Sequence, residues 1–525
     1  MRLGIDLGTT HTVVAYADRG NYPLVSFTDV AGDTVEHFPS VVAEHDGQLR
    51  YGFEAIAASA DSGWTTLRSF KRLLSQPSVS PEAVVALGGT TLPLSELLAG
   101  FLRALAEALR TKSNLPRAMR RDPKIEAAVA TPANAHSTQR FLTLEAFRQA
   151  GYEVLAVLNE PSAAGFEYAH RHRGTLTSTR EHVVVYDLGG GTFDASLVRM
   201  SGRQHDVLAT HGINLLGGDD FDVVLAELAL AAAGKTLAAL GADARGRLLE
   251  HCREAKETLH PNSRKIALDL GGVLPQGAEG AEVSVSVADY YDACAPLIDR
   301  TLDAMTPVLA RLDRDTIPSE PPTDDVVALP SDVAGIYVVG GGSSLPAVAR
   351  ALRARFGRRV HRSPYPSAAT AIGLAIATDD KGFDLVDRFS RTFGVFREER
   401  SGRGVSFDPI FTREMRLPQE GDEPLVSRRR YRAAHNLGHF RFVECGSLDE
   451  AGAPRGDLAP FADVLFPFDP SLREREDDLT NVPVVRRDGE GPLVEEAYEV
   501  DARGVVRVVM RDLESGFERV YRLGG

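Results

Sequence analysis

The spacing of apolar positions changes several times along the chain, and each change predicts an element. Residues 1–17 carry two short apolar runs around Gly8-Thr9-Thr10, which predicts two strands joined by a glycine turn. From Ser95 to Arg110 the period lengthens, and Leu97, Leu98, Phe101, Leu102, Leu105 and Leu109 fall on one helical face. Residues 125–132 predict an apolar strand ending at Thr131-Pro132. A helix is expected from Ser137 to Ala150, stopped by Gly151. Residues 154–158 predict a further strand, Asn159-Glu160-Pro161 opens another helix, and the polar stretch 171–181 predicts a surface loop.

The opening pattern then returns. Val183 to Leu188 predicts a buried strand, Gly189-Gly190-Gly191-Thr192 a turn, and Phe193 to Met200 a second strand. Asp6 and Asp187 end the two equivalent strands 181 positions apart (187 − 6), which points to an ancient duplication. Residues 222–259 are helical in character. A third glycine turn, Gly340-Gly341-Gly342, follows the strand Ile336 to Val339 and leads into a helix with Pro346 in its first turn, where proline fits. From residue 384 onward short apolar runs, Gly and Pro replace the Ala/Leu helices, the texture of an all-β module. The expected division is therefore an α/β unit at 1–378, a linker at 379–388 around Asp384-Leu385-Val386-Asp387, and a β-sandwich at 389–525.

Composition narrows the class. With 525 residues, 43% hydrophobic and 25% charged, the chain is an ordinary globular protein of about three to four domain-sized units. Its net charge of −14 disfavours nucleic acid as a partner. The basic triplet Arg428-Arg429-Arg430 reads as a solvated strand end, and His170 and His172 as solvated side chains. Three distant cysteines, Cys252, Cys294 and Cys445, suggest neither a disulfide framework nor a metal site. The start lacks a secretory pattern and no run of 18 apolar residues occurs, so a cytoplasmic location without membrane contact is expected.

The turns carry the chemistry. Glycine lets backbone N–H groups approach a phosphate chain, and threonine hydroxyls add donors. Gly8-Thr9-Thr10 and Gly189-Gly190-Gly191-Thr192, facing each other, would hold a triphosphate from both sides, with Gly340-Gly341-Gly342 as a third turn. Asp6, Asp187 and Glu160 suit a hydrated Mg²⁺, which takes few direct carboxylates. Neither a GxxxxGK[ST] loop nor a strand-initial GxGxxG is present, which disfavours a P-loop enzyme and a dinucleotide fold.

These segments resemble the 70-kilodalton heat-shock chaperone family. Gly4 to Thr10 resembles its first phosphate hairpin, Asp187 to Asp194 (DLGGGTFD) its second, and Asn159 to Ala164 its NEPTAA element. Phe70-Lys71-Arg72-Leu73 resembles the segment with its catalytic lysine, and Leu216-Gly217-Gly218-Asp219-Asp220-Phe221-Asp222 its LGGEDFD. The resemblance implies an actin-like, two-lobed, ribonuclease-H-like fold that binds ATP with Mg²⁺ and hydrolyses it. It implies an Mg²⁺ shell of Asp6, Glu160 and Asp187, and Thr9, Thr10 and Thr192 near phosphate or the attacking water. Lys71 would stabilise the transition state, Asp194 would assist the water, and Lys256 would reach the nucleotide. Pro132 and Arg140 match its interdomain relay. Glu495 to Leu523 resembles the end of its peptide-binding β-sandwich. Expected partners are extended polypeptide, a J-domain-type co-chaperone and a nucleotide-exchange factor. The family's helical lid has no counterpart before Gly525, which implies fast peptide exchange. Val405, Phe407 and Leu437 either line a peptide groove or fill the sandwich core. The charges at Arg397, Glu398, Glu399 and Arg400 imply substrates unlike the family's apolar segments. Two other readings are a nucleotide-gated scaffold or filament protein with weak hydrolysis, and a small-molecule kinase of the same superfold. The DLGGGTFD match, Lys71 and the appended β-module argue against the kinase.

The adenine end departs from the family. Where two arginines hold the base, this chain has Glu257 and Ser344; His260 replaces a serine and Ser367 an aspartate, and an acid–base pair is reversed as Arg253-Glu254. Each lost guanidinium stack costs about 0.5–2 kcal/mol. Nucleotide affinity is expected to fall by about one to two orders of magnitude, with weaker base selectivity. Titrating ATP against GTP checks this: comparable affinities are expected, and a strong preference for tightly bound ATP refutes it.

Overall fold

The computed structural model describes residues 1–525 except 60, 62, 77–78, 81, 133–134, 173, 178, 202–203, 214, 272, 274–281, 313–326, 380–384, 387–388, 390, 400–403, 419–420, 450, 475–478, 502–503 and 524–525. The fold is mixed α/β with several sheets. The apolar run at the start forms β1 (Arg2–Asp6) and β2 (His11–Tyr16), an antiparallel hairpin around the first glycine turn. With β3 (Phe38–Pro39), β4 (Ile125–Thr131) and β5 (Tyr152–Asn159) they make a sheet in the order β5-β4-β1-β2-β3. Strands β1, β4 and β5 are parallel, and β2 and β3 run antiparallel to their neighbours.

The second sheet repeats this plan. It comprises β6 (His182–Leu188), β7 (Phe193–Ser201), β8 (Gln204–Ile213), β9 (Val333–Val339), β10 (Val360–Arg362) and β11 (Leu385–Val386). The order is β10-β9-β6-β7-β8-β11. As in the first sheet, the first three strands in sequence form an antiparallel meander and the next two add in parallel. The repeat inferred from Asp6 and Asp187 is thus visible in topology: β1 and β6 hold the same place. The backbone of β11 extends the second sheet beside β8, while Asp384 and Asp387 lie outside the described residues.

The expected helices form as α1 (Leu94–Thr111), α2 (Ser137–Gln149) and α3 (Glu160–Arg171). All six apolar residues read as the face of α1 are buried. Residues 222–259 are two helices, α4 (Gly218–Ala232) and α5 (Ala242–Glu257), with a break near the left-handed Gly234. Helices α6 (Pro346–Phe356) and α7 (Ala369–Asp379) follow. Helices α3 and α7 pack together and face both sheets. Ala163, Phe166, Ile372 and Leu374 share a core with Val13 and Ala128 of the first sheet. Ala164, Tyr168 and Ala369 share another with Val183, Val198 and Tyr337 of the second. Their approach depends on glycine: a Cβ at Gly373 would run into the carbonyl of Ala163, and one at Gly4 of β1 into the backbone of α7.

The all-β texture after residue 384 resolves into two four-stranded antiparallel sheets. One contains β12 (Thr392–Glu399), β13 (Gly404–Phe411), β15 (Leu437–Leu448) and β16 (Pro454–Pro467). The other contains β14 (Leu425–Arg432), β17 (Leu493–Val500), β18 (Val506–Asp512) and β19 (Glu518–Leu523). Phe393, Val395 and Phe442 of the first sheet and Tyr498, Val508 and Met510 of the second share one core. Buried Glu496 ties the sheets together, accepting from Arg397 at 2.6 Å and from the Tyr498 hydroxyl at 2.5 Å.

Three expectations are refined here. The arginine triplet sits inside strand β14 rather than at its end: Arg429 binds Asp408 at 2.8 Å and Arg430 binds Glu495 at 2.6 Å. Leu437 is buried, Val405 is 70% exposed, and Phe407 is half-buried against exposed Phe396, so the three do not form one row. Arg397 and Glu398 are taken up in ion pairs, while Arg400, Ser401-Gly402-Arg403 and Ala502-Arg503 lie outside the described residues. The three cysteines are buried and none forms a disulfide among the described residues. No helix among the described residues is long and apolar enough to cross a membrane.

The crossing of α3 and α7 makes a direct prediction. Gly373→Val should destabilise the protein by about 1–3 kcal/mol or more, because overpacking here meets backbone rather than a yielding side chain. Thermal unfolding measures it; an unchanged Tm would show that the two helices can separate freely.

Candidate functional site

The ends of β1 and β6 and the starts of α3, α4 and α6 converge on one cleft. Its inner part is a cavity of about 120 Å³. Gly8, Thr9 and Thr10 line it from the first turn, and Gly189, Gly190 and Thr192 from the second. Gly340, Gly341 and Gly342 close a third side, with Gly218 and Lys256 beside them. Gly340 adopts φ 83°, and a side chain there would strike Asp187 and the Leu188 carbonyl.

Asp6, Lys71, Glu160 and Asp187 line the floor. Glu160 opens α3, with a proline in the first turn beside it, where a carboxylate also suits the helix dipole. Lys71 sits on a short 3₁₀ turn (Phe70–Ser75) anchored by fully buried Phe70, and its Nζ meets Glu160 Oε1 at 2.8 Å. Asp194 pairs with Asp187 across the β6–β7 hairpin. It is buried, and its Oδ1 has no hydrogen-bond partner among the described residues.

Predicted residues Gly191, Gly217 and Asp194 stand just outside the lining. Gly191 leaves room for Arg72 and the Thr9 methyl, and Gly217 backs onto Gly190. Lys256 is held at 2.7 Å by Asp222 and donates to the Gly218 carbonyl at 2.8 Å. Sequence reasoning missed His11, Asp219, Pro366 and Thr370, which also line the cavity. It noted Arg253 only as a reversed charge pair. The signals were present: His11 directly follows the first turn, and Asp219 lies in the Leu216–Asp222 segment. His11 packs on His37 with ring centroids 3.8 Å apart. Burial, then His37 and the cations Arg253, Lys256 and Arg68, hold its pKa well below the ordinary value.

The electrostatics are one-sided. Four carboxylates gather around a single lysine. Asp6 and Asp187 keep some surface open to the cavity, yet protein surrounds them closely. Burial, then the neighbouring Glu160, pushes the Asp6 pKa up to about 7. The same two causes, in that order, raise Asp187 and Asp194 well above the carboxylate range. Burial alone would depress Lys71, but Glu160, Asp6 and Asp187 together outweigh it and raise its pKa. Such a cluster is short of positive charge. No three His, Cys, Asp or Glu among the described residues are arranged to ligate an ion directly. The carboxylate oxygens of Asp6, Glu160 and Asp187 in one cavity are a donor set that suits a hard cation such as Mg²⁺.

A second cavity, of about 630 Å³, opens outward from the first and shares Lys256, Glu257, Gly341 and Gly342 with it. Glu257 and Ser344, the positions that depart at the adenine end, both line it, as does His260.

Comparison with known proteins now adds to this geometry. Residues 2–380 match the family model described as Hsp70 protein. The chain belongs to the Hsp70 family. It is similar to a protein named Chaperone protein HscA homolog from Burkholderia multivorans, 32% identical over 388 residues, 72% of this chain and 58% of the relative. A protein of the same name from Variovorax paradoxus is 33% identical over 386 residues, 71% of this chain and 57% of the relative. The chain thus matches under two thirds of the length of these relatives. The residues matched by the family model, 2–380, contain both glycine hairpins and the whole carboxylate cluster.

The raised pKa of Asp6 predicts a pH-dependent cost. The stability associated with protonated Asp6 is fully present below its ordinary value of 3.8 and is lost as pH rises through about 7. Asp6→Asn should therefore raise Tm at pH 8, without nucleotide or divalent cation, by about 2–4 °C for each kcal/mol relieved. The gain should shrink as pH falls toward 4. A variant that melts lower than wild type at pH 8 would show that the carboxylate is well accommodated as an anion.

Proposed function

We propose that the chain is an ATP-dependent chaperone-like protein of actin-like, two-lobed architecture that binds Mg²⁺-ATP in this cleft and hydrolyses it. The observation that carries the reading is the cluster of Asp6, Glu160, Asp187 and Asp194 around Lys71, beside the two glycine–threonine turns that line the same cavity. The proposed domains are 1–378 for nucleotide, 379–388 as linker and 389–525 for substrate.

In this reading the backbone N–H groups of the glycine turns and the Thr9, Thr10 and Thr192 hydroxyls hold the phosphates. Asp6, Glu160 and Asp187 hold a hydrated Mg²⁺, whose positive charge offsets that of the phosphates. Lys71, fixed by Glu160, stands ready to stabilise charge that builds on the terminal phosphate. Asp194, whose Oδ1 has no partner among the described residues and whose pKa is raised, orients the attacking water and accepts its proton. Lys256, Gly217 and Gly218 border the nucleoside.

Coupling to the sandwich is supported by contacts between the two units. Ser137, at the start of α2, donates to Glu444 at 2.5 Å, and Arg413 donates to the Thr210 carbonyl at 3.3 Å. The β11 backbone joins the second sheet, and Gly504 faces Arg140. Extended polypeptide is the proposed substrate, with a J-domain-type partner and an exchange factor as proposed regulators and the cytoplasm as the proposed location.

Steady-state hydrolysis of wild type and Lys71→Ala, each with and without unfolded polypeptide, tests this. Mg²⁺-dependent turnover that rises with polypeptide is expected in wild type, with a loss of about 10²–10³-fold in the variant. Equal, near-zero rates in both would remove the hydrolase from the proposal and leave nucleotide binding alone.

A further inference from the structure

The outer cavity has a charge pattern that a nucleoside does not account for. Beyond the four residues it shares with the inner site, its wall carries His260, Arg350, Arg353 and Arg362. Arg350 and Arg353 project from consecutive turns of α6, and Arg362 ends β10 alongside. No ion pair or hydrogen bond of these three guanidinium groups is found among the described residues; Arg350 instead lies over the Tyr291 ring, 5.6 Å from its centroid. The shared Lys256 is already matched by Asp222 at 2.7 Å. Among the described residues Glu257 is the one carboxylate lining the cavity, against three guanidinium groups with no ion pair or hydrogen bond there. Arg362 shows the effect of this crowding: burial, then Arg353, lowers its pKa from the ordinary value.

Arginine forks recognise phosphate by paired, charge-assisted hydrogen bonds. A ligand whose polyphosphate occupies the inner turns has its nucleoside end directed through Glu257 and Gly342 into this outer cavity. We infer that the site takes a nucleotide carrying a second phosphate at the end remote from its triphosphate, held by Arg353 and Arg362. This assignment rests on the nucleotide reading above and deepens it: selectivity lost at the base is replaced by selectivity for a doubly phosphorylated nucleoside.

The test is a calorimetric comparison of ATP with adenosine 3′-phosphate 5′-triphosphate on the full chain with Mg²⁺. The second ligand should bind about tenfold or more tightly than ATP, a typical gain for one charge-assisted contact. In the Arg353→Ser, Arg362→Ser double variant that advantage should vanish while ATP affinity stays as in wild type, which also reports that the inner site is intact. Equal affinities of the two ligands in wild type, or an advantage that survives in the variant, would overturn the inference and leave the ATP reading standing. Binding of neither ligand to wild type would overturn both.

Discussion

The close crossing of α3 and α7 is the constraint on which the rest of the nucleotide-side architecture depends. Gly373 brings one helix onto the carbonyl of Ala163 in the other, and Gly4 lets β1 lie against α7. No side chain fills these gaps, so the two helices act as a single spacer between the sheets. One face of the pair belongs to the core of the first sheet and the other to that of the second. Because Glu160 opens α3, the same packing fixes a carboxylate between the ends of β1 and β6. A helix pair separated by even one methyl layer would displace Glu160 from Asp6 and Asp187.

The cleft produced by that packing is electrostatically unfinished. A hydrophobic scaffold holds Asp6, Asp187 and Asp194 near Glu160 and provides one lysine. Taking ionised carboxylates from water is costly unless they are paired, and one Lys71–Glu160 bridge does not pair them all. The protein stores this imbalance where phosphates and a hydrated cation would enter. The excess of guanidinium groups in the outer cavity is of opposite sign, and the two regions meet at Lys256 and Glu257. A ligand long enough to reach both regions would meet cation-seeking groups at one end and anion-seeking groups at the other.

The sandwich solves its own charge problem internally. Arg397, Glu496, Asp408 and Arg429 close a network across its two sheets, so Arg397, one of the charges expected to choose a substrate, is engaged within the fold. Among the described residues its contacts with the α/β unit include two polar ones, Ser137 to Glu444 and Arg413 to the Thr210 carbonyl. Polar, partly buried contacts of this kind separate at lower cost than an apolar interface.

Local pattern determined much of the protein. Alternation and glycine placement marked β1, β2, β6 and β7, and helical spacing marked α1, because backbone geometry and solvent exposure act over a few residues. The glycine turns with Asp6, Asp187 and Glu160 were marked by residue type and pattern and Lys71 by family resemblance alone, and the fold brings them to one cavity. His11 and Asp219 lay beside marked segments without being singled out, and Pro366 and Thr370 carried no local mark, since nothing in the nearby sequence shows which residues line a cavity between distant elements. The break between α4 and α5 was also hidden, the whole stretch being helical in composition. Only tertiary structure placed Arg353 of α6 beside Arg362 of β10, and only it separated Val405 from Leu437. Which side chains share a cavity depends on how distant elements pack, and a one-dimensional pattern carries no record of those distances.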